Sequence, residues 1–430
     1  MRAIRRRTER HGDARMPRVG TRVRLTMAVV LLAAVPAAAA DVPSSAPRDF
    51  ALSADGDLYL GNATRVVTRT PAAEPDAAPT DVPAPIAANG SLLLDERTLV
   101  GDAIARRDAK LRLLAEVAGD LVVTDGKVQL AGQAHVRGAV LADAGVVAGI
   151  SSRVDGDLAA ARGSVRIVRL ARVRGNVFAR REFRGDRDVV VGAPGTTVET
   201  PGAVLLRDRG EYFASILYEG TLTFVGTGEP TLRASVTQVS PGTLAAPAMP
   251  AWRLERLTLA DADPGSQDVT VTKQSGDVTL VPGRYGRVVL GQESVVHLAP
   301  GAYDLDELQA QSDVRVVVEV ADPTARVELR VRGDVRAGRR FAMDLGLRSD
   351  AERQARASRI RTVVGGTFRG DQDVVWAGEI LAGKSIVLGK RTILIGGAWS
   401  RGDLDVGRDS RVIWVPAAVA AEYRPEGPGT

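Results

Sequence analysis

One short phrase that recurs at a nearly fixed interval constrains this chain more than any other sequence feature. The phrase combines a small residue, a valine, a glycine and a branched apolar residue, and it occurs at Ala115–Leu121, Ala134–Val140, Ser152–Leu158 and Ala171–Val177. Its glycine recurs at positions 101, 119, 138, 156 and 175. This nearly constant period is too short for a pair of helices, but it fits one coil of three short strands.

The residues within each phrase also predict strands. Apolar and polar residues alternate, which is the two-residue period of a half-buried strand, and a fixed glycine suits a tight corner. Inward Val, Leu and Ala side chains would stack coil upon coil, about 4.8 Å apart. We therefore predict an all-β fold, a right-handed parallel β-solenoid in two repeat segments, with Val136, Val154 and Val173 buried at equivalent positions.

Residues 100–177 resemble the bactofilin repeat, the polymer-forming β-helix of bacteria, through the spacing of [Ala/Ser]-x-Val-x-Gly. The resemblance implies a subunit that polymerises end to end. Residues 276–420 resemble the L-x-P-G-x-Y solenoid repeat of bacterial exported and surface proteins, at Leu280–Tyr285 and Leu298–Tyr303. That resemblance implies a location in the cell envelope, and the spacing of one period predicts that Tyr285 and Tyr303 stack in adjacent coils.

Residues 1–40 have the three parts of a secretory signal peptide. An arginine-rich start precedes the apolar run Met27–Val35 and the small residues Ala37–Ala40. The apolar run is too short to span a bilayer, so we expect cleavage before Asp41 and no transmembrane anchor in the mature chain. An uncleaved anchor is the alternative, and Met1 and Met16 are both candidate start sites. The expected location is the periplasm, the outer membrane or the cell surface.

The charge and the cysteine content exclude several classes of function. The whole chain has 57 Lys and Arg against 52 Asp and Glu, but residues 1–40 hold 9 Arg and 2 acids. The remainder therefore carries 48 basic and 50 acidic residues, and it predicts no basic surface for nucleic acid. Because the chain has no cysteine, it has no disulfide, no thiolate metal site and no thiol nucleophile.

The composition of the chain suggests five segments. They are the signal peptide at 1–40, an N-terminal segment with a Pro/Ala-rich spacer at 41–89, a bactofilin-like solenoid at 90–240, a second solenoid at 241–421 with an insertion near 346–362, and a polar tail at 422–430. Within them we expect one isolated strand at Ala54–Leu60 and a flanking excursion at Tyr212–Val225. We expect the insertion to form a short exposed helix or a loop.

Two segments that match closely carry the only candidate catalytic residues. Asp186 and Asp188 follow Phe183, as Asp371 and Asp373 follow Phe368, and each pair would face the same side of a strand. Enzymes with a β-helix fold that cleave acidic polysaccharides use such carboxylates as acid/base pairs or as Ca²⁺ ligands. The alternative, which we favour, is a solvated corner in two related coils.

Histidines and Arg-Gly-Asp triplets are better explained by the repeat than by a site. His135 and His297 each lie inside a repeat without a second histidine at ligand spacing, so we predict surface positions rather than a metal or catalytic role. Arg-Gly-Asp occurs at 184–186, 332–334, 369–371 and 401–403. We expect these triplets to mark corners rather than receptor-binding loops.

Tryptophans gather near the end of the second repeat. Exposed rings of Trp376, Trp399 and Trp414 would stack on sugars, but we expect them to pack under the final coil. Ice binding would need a flat ladder of Thr-x-Thr on one face, whereas the outer positions are Arg, Asp, Glu and Gln.

Taken together, these patterns predict a non-catalytic exported solenoid that scaffolds, adheres or self-assembles, without cofactor or metal. A β-helix enzyme acting on acidic polysaccharide through the paired aspartates is the alternative function. The expected partners are further copies, joined through the solenoid ends, and an envelope polysaccharide. Because Arg411–Pro416 is an apolar strand closed by proline, we expect a capped C-terminal end and an open N-terminal end.

Overall fold

Short strands, nearly all of them parallel, make up almost all of the regular secondary structure in the described residues. The computed structural model describes residues 49–70, 80–250, 252–320, 322–346 and 350–416, all within one compact unit. The predicted signal peptide, most of the Pro/Ala-rich spacer and the polar tail lie outside the described residues. No helix among the described residues is long and apolar enough to cross a membrane.

The strands fall into two runs along the chain. The first run comprises β1 (Leu52–Ala54), β2 (Leu58–Leu60), β3 (Arg65–Thr70), β4 (Thr80–Pro83), β5 (Ile86–Ala88), β6 (Leu92–Leu94), β7 (Leu99–Val100), β8 (Ala103–Ala105), β9 (Ala109–Leu111), β10 (Glu116–Val117), β11 (Leu121–Val123), β12 (Lys127–Leu130), β13 (His135–Val136), β14 (Val140–Ala142), β15 (Gly145–Ala148), β16 (Arg153–Val154), β17 (Leu158–Ala160), β18 (Ser164–Ile167), β19 (Arg172–Val173), β20 (Val177–Ala179), β21 (Glu182–Gly185), β22 (Val190–Val191), β23 (Thr197–Thr200), β24 (Ala203–Arg207), β25 (Glu211–Tyr212), β26 (Ser215–Tyr218), β27 (Leu222–Val225), β28 (Thr231–Leu232) and β29 (Val236–Gln238).

After a stretch without strands, the second run comprises β30 (Val269–Val271), β31 (Asp277–Leu280), β32 (Gly283–Arg284), β33 (Arg287–Leu290), β34 (Val295–Leu298), β35 (Gly301–Leu305), β36 (Glu307–Ala310), β37 (Arg315–Val318), β38 (Val327–Val331), β39 (Val335–Ala337), β40 (Ala342–Asp344), β41 (Ile360–Val364), β42 (Phe368–Gly370), β43 (Val375–Ala377), β44 (Glu379–Ala382), β45 (Ile386–Leu388), β46 (Ile393–Ile395), β47 (Ala398–Ser400), β48 (Leu404–Val406) and β49 (Arg411–Trp414). A 3-10 turn (Lys273–Ser275) and one helix, α1 (Asp350–Ala357), complete the described elements.

These strands build a three-sided parallel β-solenoid, which confirms the predicted fold class. Face 1 holds β1 and every third strand from β5 to β47, and face 2 holds β2 and every third strand from β6 to β48. Face 3 holds β3 and every third strand from β7 to β49, and β4 pairs antiparallel with β3 at its edge. Each coil therefore contributes one strand to each face.

The order of the coils differs from the order of the sequence. β1 pairs with β5 on one side and with β47 on the other, and β2 and β3 likewise pair with β48 and β49. The last coil of the second run therefore continues directly into the first coil of the first run. Both repeat segments form one stack, whose upper end is β27–β29 and whose lower end is β30–β32.

This coil order corrects the prediction about the ends. The N-terminal coil is not an open edge and Arg411–Pro416 does not cap a free end, because each covers the other inside the stack. The sequence pattern does not predict this arrangement, because every coil has similar parallel strand edges above and below. The choice between them depends on contacts between the two distant ends of the chain, such as Leu52 with Ala398.

A connector, residues 239–268, runs back along face 1 from the upper end to the lower end. The 16 strands of face 1 require about 72 Å at about 4.8 Å per spacing, and an extended chain of this length reaches about 100 Å. Trp252 and Leu254 pack on the outward residues of β5, β8 and β11, and Leu257 packs on those of β44 and β47. The connector therefore covers face 1 as an extended strap.

The interior follows the predicted register. Val136, Val154 and Val173 occupy directly paired positions on face 3 and are fully buried, as predicted. A Cβ atom at Gly138 would lie 2.6 Å from the carbonyl carbon of Gly119 in the coil below. The repeated glycine is thus required because successive backbones touch at that corner.

A second corner, between faces 2 and 3, is set by backbone conformation. One residue in nearly every coil adopts a left-handed φ of about 56° to 63°, at Ala63, Arg97, Leu114, Gln133, Ser151, Leu170, Asp188, Arg209, Glu293, Asp313, Arg340, Asp373, Arg391 and Asp409. Left-handed φ is unfavourable for most residues other than glycine, and among these Asn and Asp tolerate it best. The column explains several recurring aspartates without any functional role.

The predicted stacking of Tyr285 on Tyr303 is wrong. Tyr303 pairs with Gly283, two positions out of the predicted register, and its hydroxyl donates to the carbonyl oxygens of Leu280 (2.9 Å) and Ala299 (2.7 Å). Gly301 lies directly over the ring of Pro282, so the two phrases do not superpose at this corner. The register of the repeat therefore shifts by two residues at the corner between face 3 and face 1.

Three smaller predictions also change. Ala54–Leu60 is not an isolated strand, since β1 and β2 belong to a complete coil. Tyr212–Val225 is not an excursion, because β25, β26 and β27 pair in regular register. The insertion does contain a helix, α1, but Ala355 and Ala357 are buried, so the helix packs against the solenoid instead of standing free.

Candidate functional site

The first aspartate pair lies in a turn rather than on a strand. Asp186 follows the end of β21 and is buried, with carboxylate oxygens 3.0 Å from Arg166 and 3.3 Å from Arg184. Asp188 occupies the left-handed corner, at φ 58°, and pairs with Arg209 at 3.1 Å. The two carboxylates therefore have separate arginine partners, and the alternation of a strand does not apply to them.

The second pair repeats this arrangement in another coil. Asp373 takes the same corner, at φ 63°, and accepts hydrogen bonds from Arg391 at 2.5 and 2.7 Å. These bonds outweigh desolvation and hold the pKa of Asp373 below its usual value. Asp371, in the turn before it, is exposed. A carboxylate held ionised by a guanidinium is a poor general acid.

The corner column accounts for this pairing. In successive coils it carries Asp313, Arg340, Asp373, Arg391 and Asp409, so that acidic and basic residues alternate, and Arg340 pairs with Asp313 as Arg391 pairs with Asp373. The two aspartate pairs are nine strand spacings apart on face 2, which is about 43 Å. They cannot contribute to one active site, and Asp188 and Asp373 are explained as members of the corner column.

Arg-Gly-Asp triplets occupy two kinds of position. Those at 332–334 and 401–403 lie at the corner between faces 1 and 2, and those at 184–186 and 369–371 lie at the ends of β21 and β42. In the triplet at 184–186, a Cβ on Gly185 would meet the buried hydroxyl of Tyr212. Glycine is therefore needed at that position to make room for a core side chain.

Both histidines lie in charge ladders on face 3. The Nε2 atom of His135 is 2.8 Å from Oδ2 of Asp155, and the Oδ1 atom of the same carboxylate accepts from Arg153. His297 lies between Asp277 (3.9 Å) and Glu319 (3.4 Å). Among the described residues, no three histidine, aspartate or glutamate side chains are placed to hold a metal ion.

The tryptophans pack mainly inside the structure. Trp376 is buried against Phe341 and Phe368, with ring centroids 5.3 and 4.7 Å away. Trp399 is buried under the connector and donates from Nε1 to the carbonyl oxygen of Phe50 at 3.0 Å. Trp414 is half-buried at the joint of the two runs. Trp376 and Trp399 therefore offer no exposed ring to a sugar.

Aspartates at the other two corners tie each coil to the next. The Oδ1 atom of Asp120 accepts from the backbone N–H of Ala139 at 2.7 Å, and Asp403 accepts from that of Asp57 at 2.9 Å. Each bond satisfies a donor that the corner would otherwise leave without a partner. The Gly-Asp sequence of the repeated phrase therefore stabilises the stacking of one coil on the next.

A cleft beside the connector is the most site-like feature of the described structure. It consists of two adjoining cavities of about 1010 and 530 Å³, which share Arg106, Asp125 and Arg253. One wall is the connector at 249–256, and the other is the corner between faces 1 and 2 in seven successive coils, from Asp403 to Arg162. We call it the strap groove, and six spacings give it a length of about 29 Å.

An asparagine fixes the width of the strap groove. The Nδ2 atom of Asn89 donates to the carbonyl oxygen of Leu254 at 3.2 Å, and its Oδ1 atom accepts from the N–H of Leu254 at 3.0 Å. The same Nδ2 atom donates to Asp55 at 2.9 Å. Burial raises the pKa of Asp55, and the opposing effects of Asn89, Arg256 and Arg253 are smaller.

Three arginine side chains in the groove have no partner among the described residues. Arg107, Arg253 and Arg256 are exposed and their guanidinium groups make no hydrogen bond or ion pair there, whereas Arg106 pairs with Asp125 at 2.8 Å. The charge of the groove lining is nearly balanced, since five arginines face six carboxylates. The three guanidinium groups are therefore hydrogen-bond donors that the described residues leave free.

Sequence reasoning missed this groove. Its two walls come from distant parts of the chain, and only the path of the connector brings them together. One local signal was present, since Trp252, Leu254 and the charged Arg253 and Glu255 alternate as on a strand with one covered face.

Comparison with known proteins identifies no family. No protein-family model matches the chain, and a search of curated proteins finds no match. Among solved structures, an ice-binding protein from an Antarctic bacterium of the Flavobacteriaceae aligns with 86% of this chain and 97% of its own, at 10% identity and a TM-score of 0.24. So loose a superposition carries no functional argument. The conclusion is limited to the architecture, which is a three-sided β-solenoid with an extended connector along face 1.

Proposed function

We propose that the protein is a structural scaffold that associates through the upper end of its solenoid. The observation that carries this proposal is an uncovered end of the apolar interior. Leu222, Phe224, Leu232 and Val236 continue the inward columns of the coil below, where their partners are fully buried. Phe224 is nevertheless 52% exposed and Leu232 is 38% exposed.

The same end also has open strand edges. Within the described residues β27, β28 and β29 each pair with one strand only, in the coil below them. Unpaired parallel edges beside exposed apolar side chains template the addition of another strand. A second copy of this chain offers a matching set of edges and side chains.

The lower end is better closed. There Val271 and Leu280 are buried, and Tyr303, a buried residue of the second coil, hydrogen-bonds through its hydroxyl to the carbonyl oxygen of Leu280 in the lowest coil. The lower edge also contains Pro282, which has no N–H to donate to a further strand. This asymmetry favours association of two upper ends about a two-fold axis, which closes after two copies.

Size measurement by light scattering after gel filtration tests the proposal, and the matched control lies at the opposite end. Phe224→Asp combined with Leu232→Asp should convert dimers to monomers, because charges would enter the joined interior. Val281→Asp, at a residue 60% exposed at the lower end, should leave the dimer intact. Circular dichroism should show that each variant keeps its strands.

Two outcomes would contradict the proposal. A wild-type protein that is monomeric at tens of micromolar concentration would remove its basis. Loss of association in both variants would indicate head-to-tail polymers, in which upper and lower ends meet.

The wider setting of this scaffold is the cell envelope. The signal-like N-terminus and the resemblance of residues 276–420 to exported solenoid proteins support export, and the bactofilin resemblance of residues 100–177 supports self-association. Mass spectrometry of the envelope fraction tests export, since the expected product begins at Asp41. An intact Arg2-containing protein in the cytoplasm would count against it. The alternative enzyme role gains no support from the aspartate pairs, whose carboxylates mostly face arginines.

A further inference from the structure

The strap groove has the shape of a site for a linear polymer. It follows the solenoid axis over seven coils, is open to solvent along its length, and is bounded on one side by an extended chain. A compact ligand would fill only part of such a cleft. Its shape therefore indicates a ligand with many units in a row.

The charges of the groove specify the groups on that ligand. Asp57 and Asp403 already accept backbone N–H groups, and Asp125 is paired with Arg106. This leaves the guanidinium groups of Arg107, Arg253 and Arg256, which form paired hydrogen bonds with carboxylates. It also leaves the carboxylate of Glu255 and the Oδ2 atom of Asp55, whose Oδ1 atom accepts from Asn89, and these oxygens accept hydrogen bonds from hydroxyl groups.

A saccharide fits these groups better than a peptide does. Peptides bind grooves by adding a strand to a free edge or by filling apolar pockets. The corner N–H of Ser91 is already bonded to Asp57 at 2.7 Å. Trp252 and Leu254 are buried against face 1. The coil-corner wall of the groove therefore offers no free N–H at Ser91, and most of its side chains are polar.

We propose that the strap groove binds a linear acidic oligosaccharide, with its carboxylates on Arg107, Arg253 and Arg256 and its hydroxyl groups on Asp55 and Glu255. The connector acts as a fixed wall because Asn89 holds it at Leu254. The groove lies away from both ends, so binding does not depend on end-to-end association.

Isothermal titration of the full-length protein with hexagalacturonate tests the proposal. The neutral hexasaccharide cellohexaose and the peptide hexaglutamate serve as comparison ligands. Arg253→Ala with Arg256→Ala should weaken hexagalacturonate binding at least tenfold. The matched control is Arg169→Ala with Arg172→Ala, which removes two exposed arginines outside the groove.

The expected result is binding of hexagalacturonate, none of cellohexaose, and an unchanged affinity in the control variant. Absence of binding at millimolar hexagalacturonate would overturn the proposal. Equal weakening in both double variants would place the binding on general surface charge and overturn it as well. Hexaglutamate binding as tight as that of the sugar would refute the saccharide assignment. If the protein binds hexagalacturonate in the groove but is monomeric, only the proposed dimeric scaffold is refuted.

Discussion

A circular permutation provides the sharpest test of the coil order. In the structure β49 lies directly beneath β3, and β47 lies beneath β1, so that residue 416 and residue 49 flank the same corner in neighbouring coils. We would join Pro416 to Asp49 with a short Gly/Ser linker and place new termini between Ala245 and Ala246. Both of these alanines are exposed, and no strand includes them. The permuted chain would then wind through all its coils in spatial order.

The expected change in stability is small and favourable. In the natural chain the connector between Gln238 and Val269 ties the two ends of the stack. Replacing that connection of about 30 residues by a linker of about 8 residues lowers the entropic cost of closing the chain by (3/2)RT ln(30/8), which is about 1 kcal/mol. Both halves of the connector would remain attached to their own ends. Urea unfolding followed by circular dichroism should show a similar slope and an equal or higher midpoint.

A second permutant supplies the control. The same linker with termini opened between Arg162 and Gly163 would break a regular corner, where Arg162 pairs with Asp143. This protein should be clearly less stable than the first permutant. If the first permutant fails to fold, or loses more than about 3 kcal/mol, the first and last coils are not neighbours and the reasoning is wrong.

Three further predictions follow from individual side chains. Val154→Asp should cost at least about 3 kcal/mol, because it places an unpaired charge in the stacked interior, while Val147→Asp on the outer side of β15 should change the unfolding free energy by less than about 0.5 kcal/mol. Asn89→Ala should release the connector and speed proteolysis within residues 239–268, with the coils still protected. Asp405→Asn should raise the melting temperature at pH 7, since burial raises the pKa of Asp405 and the ionised form is disfavoured in the folded state. That gain should vanish as the pH falls through the raised folded-state pKa towards 3.8, and a constant gain at all pH values would contradict it.

The spacing of glycines and valines predicted the local architecture because it reports contacts between neighbouring coils. Val136 and Val154 are one repeat period apart in the sequence and pair directly, so the period encodes their burial. The aspartate pairs misled for a related reason. A carboxylate at a left-handed corner, such as Asp188, has the same sequence neighbours as one on a strand.

The same reasoning could not predict the order of the coils or the strap groove. All parallel edges of a solenoid present similar hydrogen-bonding groups, so no local pattern selects β47 as the partner of β1. The sequence predicted one isolated strand at Ala54–Leu60, where the structure has β1 and β2 of a coil. Recognising these strands as part of a full coil would have placed the start of the solenoid before residue 90. It would not have identified β47–β49 as the coil beneath them.

The joint between the first and last coils governs when the protein finishes folding during synthesis. The ribosome releases β1–β3 early, but their lower edges stay unpaired until β47–β49 emerge. During that interval another copy's final coils can occupy the same edges, which is a route to domain-swapped dimers. The chain's own segment competes at an effective concentration in the millimolar range because the connector tethers it. Correct closure therefore dominates when newly made chains are more dilute than that, and crowded expression should yield swapped pairs.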